Sequence, residues 1–195
     1  TDLKKLAKAV DEAAHGATAI AQLTHAHKLD VEQAYEIQAL SLKRRLARGE
    51  KLVGVKMGLT SRAKMAQVGV NEVIWGRLTD AMRLEEGGSL SRGRYIHPRV
   101  EPELAYLLKA PLSGEVTAAE AMAAVAAVAP AMEIIDSRFE NFQFTLADVV
   151  ADNSSSSGFV IGSWSRPDQD LTNLGLVMEI NGRPVQIGST AAILG

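Results

Sequence analysis

Glu101 and Glu103 stand one residue apart in Arg99-Val100-Glu101-Pro102-Glu103-Leu104-Ala105-Tyr106-Leu107-Leu108, and this spacing points to chemistry more directly than any other in the chain. Side chains alternate along a strand, so an extended run puts both carboxylates on one face. Pro102, Leu104, Tyr106 and Leu108 then share the other face, which is predicted to be core. A helix would turn the two acids away from each other, and Pro102 is unsuited to a helix interior. Neighbouring carboxylates raise each other's pKa unless a cation lies between them, so the pair reads as half of a hard-metal site. An exposed acidic strand edge uses the same residues, and the pair alone does not separate the two.

Glu133 lies between Met132 and Ile134 in an apolar run, where an unpaired carboxylate is costly to desolvate. It needs a partner. A cation shared with Glu101 and Glu103 is one solution, since three carboxylates leave about three positions of an octahedral Mg²⁺ or Mn²⁺ for substrate and water. A salt bridge to Arg138 or Lys56 is the other. Lys56 sits in an apolar strand between Gly54 and Gly58, which let a ligand or another backbone approach. Its ammonium could hold a substrate carboxylate or give up a proton at a lowered pKa; the alternative is an edge lysine reaching to solvent. His97, four residues before Glu101, is a candidate base or further ligand, or a structural histidine. Ser154 to Ser157, following Asp152-Asn153, could bind a carboxylate through hydroxyls and backbone N–H groups, or form a turn. His15, His25 and His27 have no acidic or metal-spaced company. No Gly-rich phosphate loop, serine elbow or zinc motif is present.

The elements that must position these groups follow from periodicity. Apolar residues at helical spacing predict a helix within residues 2–23, and Asp30 opens a second one that runs to Gly49. Leu52 to Leu59 reads as a strand carrying Lys56, and Thr60 or Ser61 caps a short helix to Gln67. Thr117 and Glu120 form a capping-box pattern, predicting an alanine-rich helix that Pro130 closes, with a strand from Ala131 to Ile135 after it. Further strands are predicted at 158–162 and 174–180, and Asn181-Gly182 signals a hairpin into 183–187.

Composition narrows the classes. The 195 residues are 47% hydrophobic, enough for a sizeable core. A net charge of -2 with no dense basic run argues against nucleic acid or an anionic membrane surface as partner. With no cysteine, disulfides, thiolate metal sites and cysteine nucleophiles are excluded, and a reducing cytoplasm is expected. Any metal must take oxygen or imidazole ligands. The apolar stretch from Ala118 to Ala131 is built from alanine and broken by Glu120, so no membrane span is expected there, and the amphipathic start does not read as a signal peptide.

Four segments acquire a joint meaning: Gly54-Val55-Lys56-Met57-Gly58-Leu59-Thr60-Ser61, Trp75-Gly76-Arg77-Leu78-Thr79-Asp80, His97-Pro98-Arg99-Val100-Glu101-Pro102-Glu103 and Ala151-Asp152-Asn153-Ser154-Ser155. Together they resemble the 2-keto-4-pentenoate hydratase and 4-oxalocrotonate decarboxylase group of the fumarylacetoacetate hydrolase superfamily, from about Leu29 onward. The resemblance implies an α+β fold: N-terminal helices followed by a mixed β-barrel or roll. It is expected to form a single domain over 1–195, with a helical region at 1–50 and a catalytic β-rich region at 51–195. Members of the group continue past the segment matching Ala191 to Gly195, so a C-terminal part is expected to be missing. The resemblance also implies Mg²⁺ or Mn²⁺ on Glu101, Glu103 and Glu133, Lys56 as an active-site lysine, and Ser155 near a bound 2-oxo acid. Arg62 is a further candidate for contacting a substrate carboxylate. Ile74, Trp75 and Leu104 are expected to line the substrate pocket. A homo-oligomer is implied, as is a complex with a companion hydratase.

The two branches of the group differ where this chain has Ile74. The hydratase branch resembles this chain but carries an acidic residue two positions before the glycine matching Gly76. Without a carboxylate to activate water, hydration is disfavoured, whereas an apolar wall desolvates a departing carboxylate. The expected activity is therefore metal-dependent decarboxylation of 4-oxalocrotonate to 2-hydroxypenta-2,4-dienoate in meta-cleavage degradation of aromatic compounds. Two alternatives stay open: the hydratase reaction at the same metal, and a catalytically silent subunit that stabilises a partner. Ile74 speaks against the first and the three glutamates against the second.

Overall fold

The computed structural model describes residues 2–68 and 70–194. It is α+β, and its elements in chain order are α1 (Leu3–Gly16), α2 (Val31–Ala47), β1 (Leu52–Gly58), α3 (Arg62–Val68), β2 (Ile74–Thr79), β3 (Arg83–Leu84), β4 (Arg99–Leu108), α4 (Ala118–Ala123), β5 (Val125–Ile135), α5 (Leu146–Ala151), β6 (Ser156–Ile161), β7 (Gly175–Ile180) and β8 (Arg183–Ser189), with short 3₁₀ turns between them. The strands form an antiparallel β1–β2 pair, a four-stranded sheet in the order β3-β6-β5-β4 with β3 parallel to β6, and an antiparallel β7–β8 pair. No sheet closes on itself among the described residues, so the predicted barrel is not seen. The chain divides into two compact units: Thr1–Gly58, Val73–Glu101 and Glu133–Val160 in the first, Leu59–Glu72, Pro102–Met132 and Ile161–Gly195 in the second. Among the described residues no helix is long and apolar enough to cross a membrane.

In the first unit the N-terminal helices begin where capping residues permit. Asp2 accepts a hydrogen bond from the Lys5 N–H, and Asp30 forms a reciprocal capping box with Gln33. α1 ends at Gly16, short of the region predicted, because Ala17 turns left-handed. Leu6, Ala7, Val10 and Ala13 of α1 are buried, as are Ala34, Ile37 and Leu42 of α2. Asp11 is buried too, and accepts from Arg44 Nε at 2.7 Å and from Arg48 at 2.7 and 2.8 Å. Burial would push this carboxyl up, but the hydrogen bonds and charges of Arg48 and Arg44 outweigh it and hold it below its ordinary value. The stabilisation is thus fully present above the unfolded-state pKa of about 3.9 and is lost as pH falls through the lower folded value. The urea midpoint should drop in that acid range, and Asp11→Asn should flatten this limb while lowering the midpoint at pH 7; an unchanged acid limb would contradict the assignment.

In the second unit one prediction is corrected. The capping box at Thr117 and Glu120 forms, but α4 stops at Ala123, and β5 already begins at Val125 and continues through Pro130. Alanine's helix preference is worth under about 1 kcal/mol per residue, less than burying Val125 and Val128 and joining a sheet. Pro130 is exposed within the strand, and its carbonyl accepts from Gly162 N–H at 2.9 Å. The predicted core face of β4 is also only partly covered: Tyr106 and Leu108 are exposed, as befits the last strand of the sheet order. The helix predicted after Ser61 is α3, with Ser61 Oγ accepting from Lys64 N–H. The Asn181-Gly182 hairpin forms with both residues at positive φ, +53° and +71°.

Candidate active site

β4 and β5 are neighbours in the four-stranded sheet, and that neighbourhood assembles the acidic cluster. The two-residue period of β4 puts Glu101 and Glu103 on one face, and β5 brings Glu133 beside them. One carboxylate oxygen from each of the three lies within 4.8 Å of the other two. An octahedral cation with oxygens at about 2.1 Å keeps its ligand atoms about 3 to 4 Å apart, so small side-chain shifts would close these oxygens around one ion. The donor set is all oxygen and anionic, which fits Mg²⁺ or Mn²⁺ rather than a softer metal.

Glu133 is buried, and both its oxygens are engaged. Oε2 accepts from Lys56 Nζ at 3.1 Å and Oε1 from Ser156 Oγ at 2.7 Å. Of the two salt-bridge partners open to Glu133, Lys56 is the one present, and it coexists with the cluster. Arg138 instead binds Asp152, through its backbone N–H at 2.9 Å and its guanidinium.

Ile74 stands on the same side as Lys56. In the β1–β2 ladder Lys56 faces Gly76 and Gly58 faces Ile74. A Cβ on Gly58 would stand 3.0 Å from Ile74 Cγ1 and 3.7 Å from Lys56 Nζ, so the glycine leaves room for the Ile74 side chain where a larger residue would crowd it. Ile74 is 6% exposed, and it forms an apolar wall next to the ammonium. Trp75 points to the opposite face, where its ring stacks on Tyr35 at 4.7 Å and Arg77 lies over it at 5.1 Å. The structure therefore brings Ile74 to Lys56 and turns Trp75 away. Arg62 opens α3 with an exposed side chain and Leu104 is half-buried on β4; both belong to the second unit, and their roles rest on sequence.

The serine tract is a buried turn with an unusual backbone. Asn153, Ser154 and Ser155 all have left-handed φ, +52°, +52° and +60°. Such residues are strained and persist only where their surroundings dictate it. Asn153 pairs with both backbone groups of Arg77, accepting its N–H at 2.8 Å and donating to its carbonyl at 2.9 Å. Ser154 Oγ donates to Trp75 O at 2.8 Å, and a Cβ on Gly76 would collide with Asn153 O at 2.4 Å. Burial pushes the Asp152 carboxyl up to about 6 against the pull of Arg138, with Asp136 adding to the rise. Ser155 Oγ is buried and, among the described residues, without a hydrogen-bond partner, as is His97 Nε2. The His97 ring lies 5.1 Å from that of Phe142, and the N–H groups of Ile96 and His97 both donate to Asp136 at 2.8 Å. Sequence reasoning offered the tract as a receptor for a carboxylate, and the carboxylate that Ser156 receives is the protein's own Glu133. Asp136 was missed; a carboxylate directly after the apolar strand was the available signal.

Residues 57–195 match the family described as fumarylacetoacetate (FAA) hydrolase, C-terminal. The chain belongs to the fumarylacetoacetate hydrolase family. Within that family it is 56% identical over 193 residues to a 4-oxalocrotonate decarboxylase of Pseudomonas sp, covering 99% of this chain and 75% of the relative. A 2-hydroxypent-2,4-dienoate hydratase of Pseudomonas putida is more distant, 41% identical over 171 residues, covering 86% of this chain and 77% of the relative. The solved 4-oxalocrotonate decarboxylase from Pseudomonas putida G7, complexed with magnesium and adipate, matches with a TM-score of 0.96 and 41% identity over 99% of this chain and 75% of that one. The chain spans 62% of the length of two further curated relatives.

Proposed function

We propose that this member of the fumarylacetoacetate hydrolase family is a metal-dependent carboxy-lyase that converts 4-oxalocrotonate (2-oxohex-3-enedioate) to 2-hydroxypenta-2,4-dienoate and CO₂ in the meta-cleavage breakdown of aromatic compounds. One observation carries the reading: the Glu101, Glu103 and Glu133 cluster is tied through Glu133 to Lys56, and both the Lys56 ammonium and the apolar Ile74 side chain lie within 4 Å of where a Cβ on Gly58 would stand. The 56% identical relative and the magnesium-bound structural neighbour support it. Residues 1–195 act in this reading as one catalytic domain, and the barrel or roll belongs to it as the family's arrangement.

Glu101, Glu103 and Glu133 hold Mg²⁺ or Mn²⁺, which when bound supplies Lewis acidity toward the 2-oxo acid end of the substrate. In the reaction the C5–C6 bond breaks, C6 leaves as CO₂, and the electron pair of that bond moves through the enone to the C2 oxygen, which then takes one proton from solvent. Lys56 places an ammonium beside the cluster and offsets the negative charge that grows there. Ser155 offers the oxo acid its buried hydroxyl, which has no hydrogen-bond partner among the described residues, and Arg62 contacts a substrate carboxylate. Ile74 excludes water from the departing carboxylate, whose charge disperses in the transition state. Leu104 is assigned to the substrate pocket on sequence grounds. Trp75, packed on Tyr35, serves instead to hold β2 in place. The cysteine-free composition supports a reducing cytoplasm, and family analogy supports a homo-oligomer working with a companion hydratase.

The test is purified protein with Mg²⁺ and 4-oxalocrotonate, followed for CO₂ release and dienol absorbance. Stoichiometric CO₂ and dienol support the reading. Hydration of 2-hydroxypentadienoate without CO₂ from the diacid replaces it with the hydratase.

A further inference from the structure

We propose that Ser156 is a positioning residue for the metal site, its hydroxyl setting the rotation of the Glu133 carboxylate before a cation arrives. The proposal rests on the metal reading above. Ser156 is 1% exposed and opens β6, the neighbour of β5, and its Oγ donates to Glu133 Oε1 at 2.7 Å. Lys56 holds the other oxygen, Oε2, at 3.1 Å. Two donors on different oxygens define the carboxylate plane, which either one alone would leave free to swing. They are not equivalent toward a cation. The Lys56 ammonium orients Glu133 but repels a metal ion, whereas a neutral hydroxyl orients it with no such repulsion. Ser156 is therefore the donor that can prepare Glu133 for a metal without opposing it, as outer-shell partners of ligating carboxylates do.

The backbone before Ser156 supports the same role. Three successive non-glycine residues, Asn153, Ser154 and Ser155, are left-handed, an arrangement that costs energy at each position. It is held from both sides, by the Asn153 side chain on the Arg77 backbone and by Asp152 on Arg138. The turn delivers Ser156 onto Glu133 and fastens the same segment to β2, the strand that carries Ile74. The reaction's apolar wall and the aim of its buried glutamate are thus set by one rigid turn.

The experiment measures Mn²⁺ binding by electron paramagnetic resonance for wild type, Ser156→Ala and Ser156→Thr, with circular dichroism melting as the fold control. The expected result is a Kd raised about ten- to a hundredfold in Ser156→Ala, with Ser156→Thr recovering most of the loss because it keeps the hydroxyl. A role in folding alone lowers the melting temperature without moving Kd, and wild-type affinity in folded Ser156→Ala overturns the proposal. If the alanine variant does not fold, Ser156→Cys, close in shape and a weak donor, takes its place: a raised Kd supports the proposal and an unmoved Kd overturns it. Failure of the wild type itself to bind Mn²⁺ overturns the metal reading and this proposal with it; normal wild-type binding with an unmoved Ser156→Ala overturns this proposal alone.

Discussion

Glu103→Gln is expected to remove nearly all activity while the protein stays folded. The amide has the shape of the acid, and Glu103 is only half-buried on β4, so the fold loses little. The site loses one of three anionic oxygens that lie within 4.8 Å of one another. Lewis-acid stabilisation is worth several kcal/mol of transition-state charge, so the loss in kcat/KM should be on the order of a thousandfold. Mn²⁺ affinity should fall with it. Lys56→Met sets the contrast, because it takes away a positive charge bonded to Glu133 at 3.1 Å. Turnover should again drop by orders of magnitude, but Mn²⁺ affinity should hold or improve as the repulsion disappears. Opposite movements of affinity with parallel losses of turnover separate a ligand from a charge-neutralising lysine. Near-wild-type turnover in either variant would remove that residue from the mechanism.

Ile74→Asp should depress decarboxylation. Ile74 is 6% exposed, and it shares the face of the β1–β2 ladder that carries Lys56, so a carboxylate there would be on the ammonium's side of the sheet. It would draw Lys56 from Glu133 and repel the substrate carboxylate that has to leave. Two like charges about 4 Å apart repel by about 4 kcal/mol at an effective dielectric of about 20, so decarboxylation should fall by at least about a hundredfold. A carboxylate can also polarise water, so a trace of dienoate hydration is expected from the mutant. The measurement is paired rates on 4-oxalocrotonate and 2-hydroxypentadienoate at one Mg²⁺ concentration. A mutant that decarboxylates as fast as its parent would show that the wall does not govern the reaction.

The sequence by itself determined those parts of the site that depend on local rules. A strand's two-residue period around Pro102 aligned Glu101 with Glu103, and a lone acid and a lone lysine in apolar runs marked Glu133 and Lys56 as groups in need of partners. The same rules located the helix cap at Asp30 and the Asn181-Gly182 hairpin. Tertiary structure decided which groups satisfy one another. Lys56 and Glu133 are 77 positions apart, and only the folded chain chooses Lys56 over Arg138 as the partner. Ser156 reaches Glu133 because β6 neighbours β5, and Trp75 faces away from Lys56 because its partner across the ladder is Met57. The residues from Val125 to Pro130 show the same division most plainly. Their alanines favour a helix locally, yet a sheet takes them, because small per-residue preferences yield to burial and backbone pairing supplied by strands far away in sequence.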